Sequence, residues 1–148
     1  MSRLIKKSHN VSILLYHIVC PVKYRRKVIN DEVEKAIRQI CLEIEERYQI
    51  EFMEIGTDRD HVHFLVQSVP TYSPTKIVTT IKSLVAKQVF KRVPAVKKEL
   101  WGGEFWRDGY YIGTVGQNVP ESVIQQYVKK QGQQREYRQV HAQQLRLF

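Results

Sequence analysis

The chain has 148 residues, of which 43% are hydrophobic, and a formal net charge of +9 at pH 7. This length suits one domain with its own hydrophobic core, and the apolar fraction excludes a wholly disordered chain. No apolar run approaches the ~20 residues that span a bilayer, and the N-terminus lacks a signal-peptide pattern, so we expect a cytoplasmic protein without a membrane partner.

The positive charge is unevenly distributed along the chain. Residues 1–30 carry seven basic side chains and no acidic one, whereas residues 31–60 carry four basic and ten acidic ones. Residues 61–148 return to an excess of basic side chains, thirteen against five acidic ones. This distribution predicts a polyanion such as nucleic acid as a partner, although many basic proteins have no such partner.

The first part of the chain predicts one strand, one basic loop and one helix. The β-branched run Val11–Val19 is typical of a central strand covered on both faces, and the basic segment Val22–Val28 follows as a loop. Asp31 with Glu34 resembles a capping box at the start of a helix whose apolar stripe runs to about Tyr48.

A β-hairpin and a second helix are predicted next. Residues Ile50–Gly56 and His61–Gln67 are strand-like and flank a short polar turn at 57–60. Ser73 followed by Pro74 is a typical helix start, and the helix that follows carries one apolar and one polar stripe. We expect the polar stripe to be a solvated face or, next to a polyanion, a phosphate-binding face; its members are Lys76, Thr80, Ser83, Lys87 and Lys91.

The last part predicts an aromatic, glycine-rich loop at Trp101–Trp106, a fourth strand at Tyr110–Val115 and a third helix from Pro120 to about Gly132. The order strand, helix, strand, strand, helix, strand predicts an α+β fold, in which helices pack on a mostly antiparallel sheet of four to five strands. This order occurs in ferredoxin-like and RNA-recognition folds, so it does not by itself separate an enzyme from a binding module. Cys20 and Cys41 lie in apolar patterns, which favours buried thiols over a disulfide or a metal site.

The motif His61-Val62-His63 is the strongest candidate for a metal site. Residues two apart in a strand point to the same face, about 7 Å apart, so both imidazoles can bind one ion. The preceding Asp60 is either an ordinary turn residue or a carboxylate that orients His61.

Tyr127 and Gln131 are the candidates for the remaining chemistry. They are four residues apart in the third helix and therefore share one of its faces. The Gln131 carbonyl would complete the ligand set with His61 and His63, and an oxygen ligand favours Mg²⁺ or Mn²⁺. The Tyr127 phenol near such a cation could attack a phosphodiester, although a lone tyrosine in a helix is more often a packing residue.

The basic side chains interleaved with aromatic ones predict contacts to single-stranded DNA, because cations follow the backbone while bases stack on rings. Most of these aromatic side chains could equally well serve core and loop packing. The residues that we predict to contact DNA are Lys23, Tyr24, Arg25, Arg26, Lys27, Lys76, Lys87 and Arg107.

Five segments together resemble the HUH single-tyrosine transposases of compact insertion sequences, the class numbered two hundred/six hundred and five. They are Val22–Val28, Asp60–Val66, Leu100–Trp106, Asp108–Gly116 and Tyr127–Gln131, and the resemblance covers nearly the whole chain. It implies one HUH domain over residues 1–148, with the tyrosine-bearing helix at 117–132 and a polar, basic tail at 133–148.

The resemblance also implies a mechanism and partners. His61, His63 and Gln131 would bind the metal ion, and Tyr127 would join to the 5′ phosphate of the DNA. Members of the family act as homodimers on single-stranded DNA hairpins at the element ends, and a subunit's tyrosine helix can complete its partner's site. Two alternatives within the same chemistry are a domesticated relative that processes chromosomal hairpins and a replication-initiation nuclease. An alternative of another class is a non-catalytic single-stranded nucleic-acid-binding module.

Overall fold

A computed structural model describes residues 5–7, 10–12, 14–100 and 102–115 of the chain, with side chains from residue 14 onward. The strands in this part are β1 (Ile5–Lys7), β2 (Asn10–Ser12), β3 (Leu14–Pro21), β4 (Glu51–Thr57), β5 (His61–Ser68) and β6 (Tyr111–Val115). The helices are α1 (Asp31–Arg47), α2 (Pro74–Arg92) and α3 (Pro94–Glu99), and Lys23–Arg25 form a single 3₁₀ turn.

The principal sheet has four antiparallel strands in the order β4-β5-β3-β6. With α1 between β3 and β4 and α2 between β5 and β6, the chain has the β-α-β-β-α-β order of ferredoxin-like folds. The predicted α+β fold is therefore confirmed. One strand prediction was wrong, because the run Val11–Val19 is divided between β2, which pairs with β1 in a separate two-stranded sheet, and β3.

Helix α1 begins one residue earlier than the predicted capping box implied. The side chain of Asn30 accepts a hydrogen bond from the Val33 N–H at 2.9 Å, which makes Asn30 the N-cap and Asp31 the first helical residue. Glu34 instead contacts the Thr57 hydroxyl and joins the helix to the end of β4. The helix ends at Arg47, one residue before the predicted end near Tyr48.

Helix α2 follows its prediction closely, since Ser73 is the N-cap and accepts a hydrogen bond from the Lys76 N–H. Ile77, Ile81, Val85 and Val89 are buried, while Lys76, Ser83, Lys87 and Lys91 are exposed. The short helix α3 was not predicted.

The two faces of the sheet have different environments. On one face, Ile18, Phe64 and Val66 are fully buried in the main core with the apolar stripes of α1 and α2. Because side chains alternate along a strand, the intervening residues face the opposite side. That opposite face, which we call the histidine face, carries a small apolar cluster around Leu65 and Val115 and the side chains of His17, His61 and His63.

Cys20 and Cys41 are buried free thiols, as predicted. Within the described ranges, no helix is long and apolar enough to cross a membrane. Tyr127, Gln131, the predicted helix at 117–132 and the tail at 133–148 lie outside the described residues.

Candidate active site

His61 and His63 lie side by side on the histidine face. Their ring centroids are 4.6 Å apart and their planes are almost perpendicular, at 87°. Both side chains are almost completely buried, and β5, which carries them, is an inner strand between β4 and β3. The two side chains share one face, as predicted from the His-x-His spacing, and the arrangement brings two imidazoles together at one point of the sheet.

A third histidine, His17 of β3, joins this pair. Its ring is stacked on that of His63, with centroids 5.9 Å apart and an interplanar angle of 10°, and it also contacts the ring of Tyr111. His17 was not predicted as a site residue. The only signal in the sequence was a polar residue inside an otherwise apolar strand, and the pairing of β3 with β5 is needed to show where it points.

Two of these rings have a glycine opposite them on one of the two neighbouring strands. Gly56 of β4 is the partner of His63 in the sheet, and Gly113 of β6 is the partner of His17. Residues directly opposite in an antiparallel pair share a face, so a larger residue at either position would project beside a histidine. On the other side the positions are filled, since Val19 stands opposite His63 and Leu65 stands opposite His17.

Asp60 orients His61, so one of the two sequence interpretations of this residue is favoured. The distance between Asp60 Oδ1 and His61 Nδ1 is 2.7 Å, a hydrogen bond in which the ring nitrogen donates to the carboxylate. Partial burial acts to raise the pKa of the Asp60 carboxyl, but the hydrogen bonds from His61 and Arg25 and the charge of Arg25 outweigh it, so this pKa lies below its ordinary value. Asp60 is thus an ionised carboxylate in this setting.

These contacts decide how a metal ion would fit. With Nδ1 committed to Asp60, Nε2 is the nitrogen of His61 that would coordinate an ion, in the carboxylate–histidine–metal arrangement common in proteins. Asp58, Asp60 and His61 also present ligand atoms within 4.8 Å of one another. We favour the histidine pair, because both oxygens of Asp60 are already bonded, one to His61 and the other to Arg25. The residues present therefore fit an ion held by imidazole nitrogens.

The basic loop, residues 22–29, is attached to the turn that precedes His61. The Val22 N–H donates to the Asp60 carbonyl at 2.8 Å, and the Ile29 N–H donates to the Arg59 carbonyl at 3.0 Å. Between these points, Tyr24 and Arg25 adopt left-handed backbone angles, with φ of 58° and 52°. Such angles cost a non-glycine residue about 1–3 kcal/mol and persist only when the surroundings impose them.

The cations of this loop divide into bonded and solvent-facing groups. Lys23 Nζ lies 2.7 Å from Glu104 Oε2, and Arg25 Nε lies 3.1 Å from Asp60 Oδ2. Arg26 and Lys27 are exposed, and the described part of the chain contains no acidic side chain within ion-pair distance of them. Tyr24 is also exposed, with 59% of its surface accessible. Exposed ion pairs contribute only about 0–1 kcal/mol to stability, so these pairs add little to the stability of the fold.

The remaining predicted DNA contacts fall at two places. Arg107 is exposed and close to the basic loop, because its N–H donates to the Pro21 carbonyl at 2.9 Å. Lys76 and Lys87 lie on α2, which packs on the opposite face of the sheet from His63. The sequence interpretation missed Lys82, whose Nζ donates to the carbonyls of Arg107 and Gly109 and thereby fixes the segment before β6.

Comparison with known proteins places this α+β domain in a family of DNA-processing enzymes. The family model described as "Transposase IS200 like" matches residues 10–131, and the chain belongs to this family. It is a family of transposases, as the sequence resemblance predicted.

Two curated relatives and two solved structures show how far the similarity extends. The chain is 33% identical to the ISDra2 transposase TnpA of Deinococcus radiodurans over 118 residues, which are 80% of this chain and 84% of the relative. It is 31% identical to the IS200 transposase of Salmonella typhimurium over 116 residues, 78% and 75% of the two chains.

Among solved structures, a candidate transposase from D. radiodurans R1 is 30% identical and superposes with a TM-score of 0.69, covering 84% of this chain and 95% of that one. A REP-associated tyrosine transposase bound to a REP hairpin superposes with a TM-score of 0.54 over 86% and 68% of the two chains. At 9% identity, the second structure shows a shared fold alone.

Proposed function

We propose that this chain is a transposase that cleaves and rejoins single-stranded DNA at the ends of an insertion sequence, in the cytoplasm of its host. The observation that carries the proposal is the pair His61 and His63, adjacent on the sheet with His61 oriented by Asp60, in a member of the IS200-like family. A non-catalytic binding module does not require two adjacent imidazoles and a carboxylate that orients one of them.

The metal ion in this proposal is Mg²⁺ or Mn²⁺, held by His61, His63 and the carbonyl oxygen of Gln131. Such an ion would supply Lewis acidity that polarises the phosphodiester. The protein contributes the orientation of its ligands: Asp60 fixes His61, and the stacked ring of His17 packs against His63. Buried ligands on an inner strand move little, so the distance between the two imidazoles is set by the sheet.

The nucleophile in this proposal is Tyr127. Its phenol oxygen would lose a proton and attack phosphorus, forming an O–P bond while the bond from phosphorus to the 3′ oxygen breaks. The products would be a 5′-phosphotyrosine and a DNA strand with a free 3′-hydroxyl. The reverse attack by a 3′-hydroxyl would restore the phosphodiester and release the tyrosine, so joining needs no ATP.

The proposed substrate is a DNA hairpin with a single-stranded flank. The exposed cations Arg26, Lys27 and Arg107 lie near the turn before His61, where they could follow the backbone of the flank. The choice of a hairpin is supported by the similarly folded transposase that was solved bound to a REP hairpin. We further propose a homodimer whose two sites can be shared between subunits.

Covalent trapping tests the proposal. The protein would be incubated with Mn²⁺ and single-stranded oligonucleotides labelled at the 3′ end, which carry a hairpin and its flank, and then denatured. We expect a labelled protein band that Tyr127→Phe abolishes while hairpin binding persists. The matched control is Tyr110→Phe, since Tyr110 is an exposed tyrosine outside the proposed site.

Three outcomes would contradict the proposal. An adduct that persists in Tyr127→Phe would reassign the nucleophile, and cleavage undiminished in EDTA would exclude the metal mechanism. Hairpin binding without any adduct, across many oligonucleotides, would instead support the non-catalytic binding module.

A further inference from the structure

We propose that Arg25 is a positioning residue of the metal site, which acts through Asp60 on His61, and that it is not primarily a phosphate contact. The inference rests on the proposed function, because it assumes that His61 binds the metal ion. It gives Arg25 a role that its neighbours in the basic loop, Arg26 and Lys27, do not have.

The first observation is a continuous chain of contacts. Arg25 Nε donates to Asp60 Oδ2 at 3.1 Å, and the other oxygen of the same carboxylate accepts from His61 Nδ1 at 2.7 Å. Two donors on different oxygens hold the carboxylate in one plane, so it cannot rotate away from the imidazole. The carboxylate in turn keeps the proton of His61 on Nδ1, which leaves Nε2 as the coordinating nitrogen.

The second observation is the backbone that delivers Arg25. The basic loop is bonded at both ends to the turn before His61, through Val22 to the Asp60 carbonyl and through Ile29 to the Arg59 carbonyl. Its two left-handed residues, Tyr24 and Arg25, fold the chain back over that turn. A loop whose only task was to present cations to DNA would not need this conformation, since exposed lysines and arginines reach phosphates from any flexible loop.

The third observation is the contrast within the loop. Arg26 directly follows Arg25 and is also exposed, but no acidic side chain of the described residues lies within ion-pair distance of it. Arg26 is therefore a matched control, because replacing either arginine removes one positive charge from the same loop. Methionine is suitable for both replacements, since it keeps an unbranched apolar stem and removes every donor.

The experiment measures Mn²⁺ affinity in the DNA-free protein by calorimetric titration. We expect Arg25→Met to weaken binding about tenfold, within the range that loss of an outer-shell partner produces, and Arg26→Met to change it less than twofold. Asp60→Ala should weaken binding at least as much as Arg25→Met. Because Arg25 acts through Asp60, the double variant Arg25→Met/Asp60→Ala should bind no more weakly than Asp60→Ala alone.

A second readout uses the metal-free protein. Nitrogen chemical shifts of the His61 ring, recorded at alkaline pH where imidazoles are neutral, report which nitrogen carries the proton. We expect the Nδ1–H form in the wild type and in Arg26→Met, and a mixture of both forms in Arg25→Met. In DNA titrations, Arg26→Met should flatten the salt dependence by about 0.7 in the logarithmic slope, and Arg25→Met should leave it nearly unchanged.

Failure of the proposed function and failure of the inference about Arg25 would give different results. If His61→Ala/His63→Ala binds Mn²⁺ as well as the wild type, the metal site of the proposed function is wrong and the inference falls with it. If that variant loses the metal but Arg25→Met behaves like Arg26→Met, only the inference is overturned. Independent, multiplicative effects of Arg25→Met and Asp60→Ala would also overturn it.

Discussion

The imidazole rings of His17 and His63 are nearly parallel, with an interplanar angle of 10° and centroids 5.9 Å apart, although they belong to different strands. The edge of Tyr111 closes the other side of His17. His63 therefore meets the ring of His61 on one side and that of His17 on the other. A ring packed in this way has few rotamers available, which would hold its nitrogen in place for the proposed ion.

Substitution of His17 separates packing from coordination. His17→Phe keeps a flat ring beside His63, so we expect Mn²⁺ affinity within about threefold of the wild type. His17→Ala opens a cavity and should lower the free energy of unfolding by about 1–3 kcal/mol, with at least tenfold weaker Mn²⁺ binding. Calorimetric titration and urea unfolding measure the two effects. A His17→Phe protein as deficient in metal binding as His63→Ala would show that His17 is itself a ligand.

The positions of the cations in the structure lead to a prediction about which of them bind the proposed DNA flank. Arg26 and Lys27 are exposed on the basic loop, whereas Lys76 and Lys87 lie on the helical side of the sheet. Replacing Arg26 and Lys27 by alanine should reduce the slope of log affinity against log salt for a single strand by about 1.4, because each phosphate contact releases about 0.7 of a counterion. The comparison is Lys76→Ala/Lys87→Ala, which carries the same charge change. Equal slopes for the two variants would argue against the basic loop as the specific contact.

The buried Cys20 thiol should make the free energy of unfolding fall as the pH rises in the alkaline range. Burial raises its pKa to about 12, against about 9 for an ordinary thiol, with a smaller opposing effect from Lys82. Between these values the unfolded chain has released the proton and the native chain has not, so unfolding becomes more favourable as pH rises. The wild type should lose up to about 1.4 kcal/mol per pH unit more than Cys20→Ala in this window. Urea unfolding from pH 8 to 11 measures it, and parallel curves for the two proteins would contradict it.

Mixing two inactive variants tests whether sites are shared between subunits. His61→Ala/His63→Ala lacks the proposed ligands, and Tyr127→Phe lacks the proposed nucleophile. If the tyrosine of one subunit serves the histidines of the other, a mixed dimer regains one complete site and cleavage of labelled hairpin DNA returns in part. Absence of cleavage in every mixture would indicate self-contained subunits, provided that sedimentation confirms a dimer. A monomer would exclude the shared arrangement.

Local signals in the sequence predicted much of this fold. The bounds of β5 follow from the turn before it and the alternation of its residues. The bounds of α2 follow from its N-cap and its apolar stripe, and all of these signals come from residues close together in the sequence. The same signals were ambiguous at α1, where Asn30 and Asp31 are both good N-caps and only the backbone geometry selects Asn30. The run from Val11 to Val19 was misread because continuous β-propensity does not mark the point where the chain changes sheets.

The part of the site that sequence could not predict depends on contacts between distant residues. The His-x-His spacing was enough to place His61 and His63 on one face. Arg25 and Asp60 are 35 residues apart, and nothing in either segment indicates that a predicted DNA contact is bonded to a carboxylate. The position of His17 beside His63 could not be predicted either, because it depends on the register of two strands that are not consecutive in the chain.

Gly56 and Gly113 stand opposite His63 and His17 in the sheet. Each of these cross-strand pairs therefore lacks one side chain, and the histidine is its sole side chain. A side chain introduced at either glycine would project from the histidine face next to an imidazole, since residues directly opposite in an antiparallel pair share a face. Substitution of Gly56 or Gly113 is thus a way to change the surroundings of these rings while every histidine is kept.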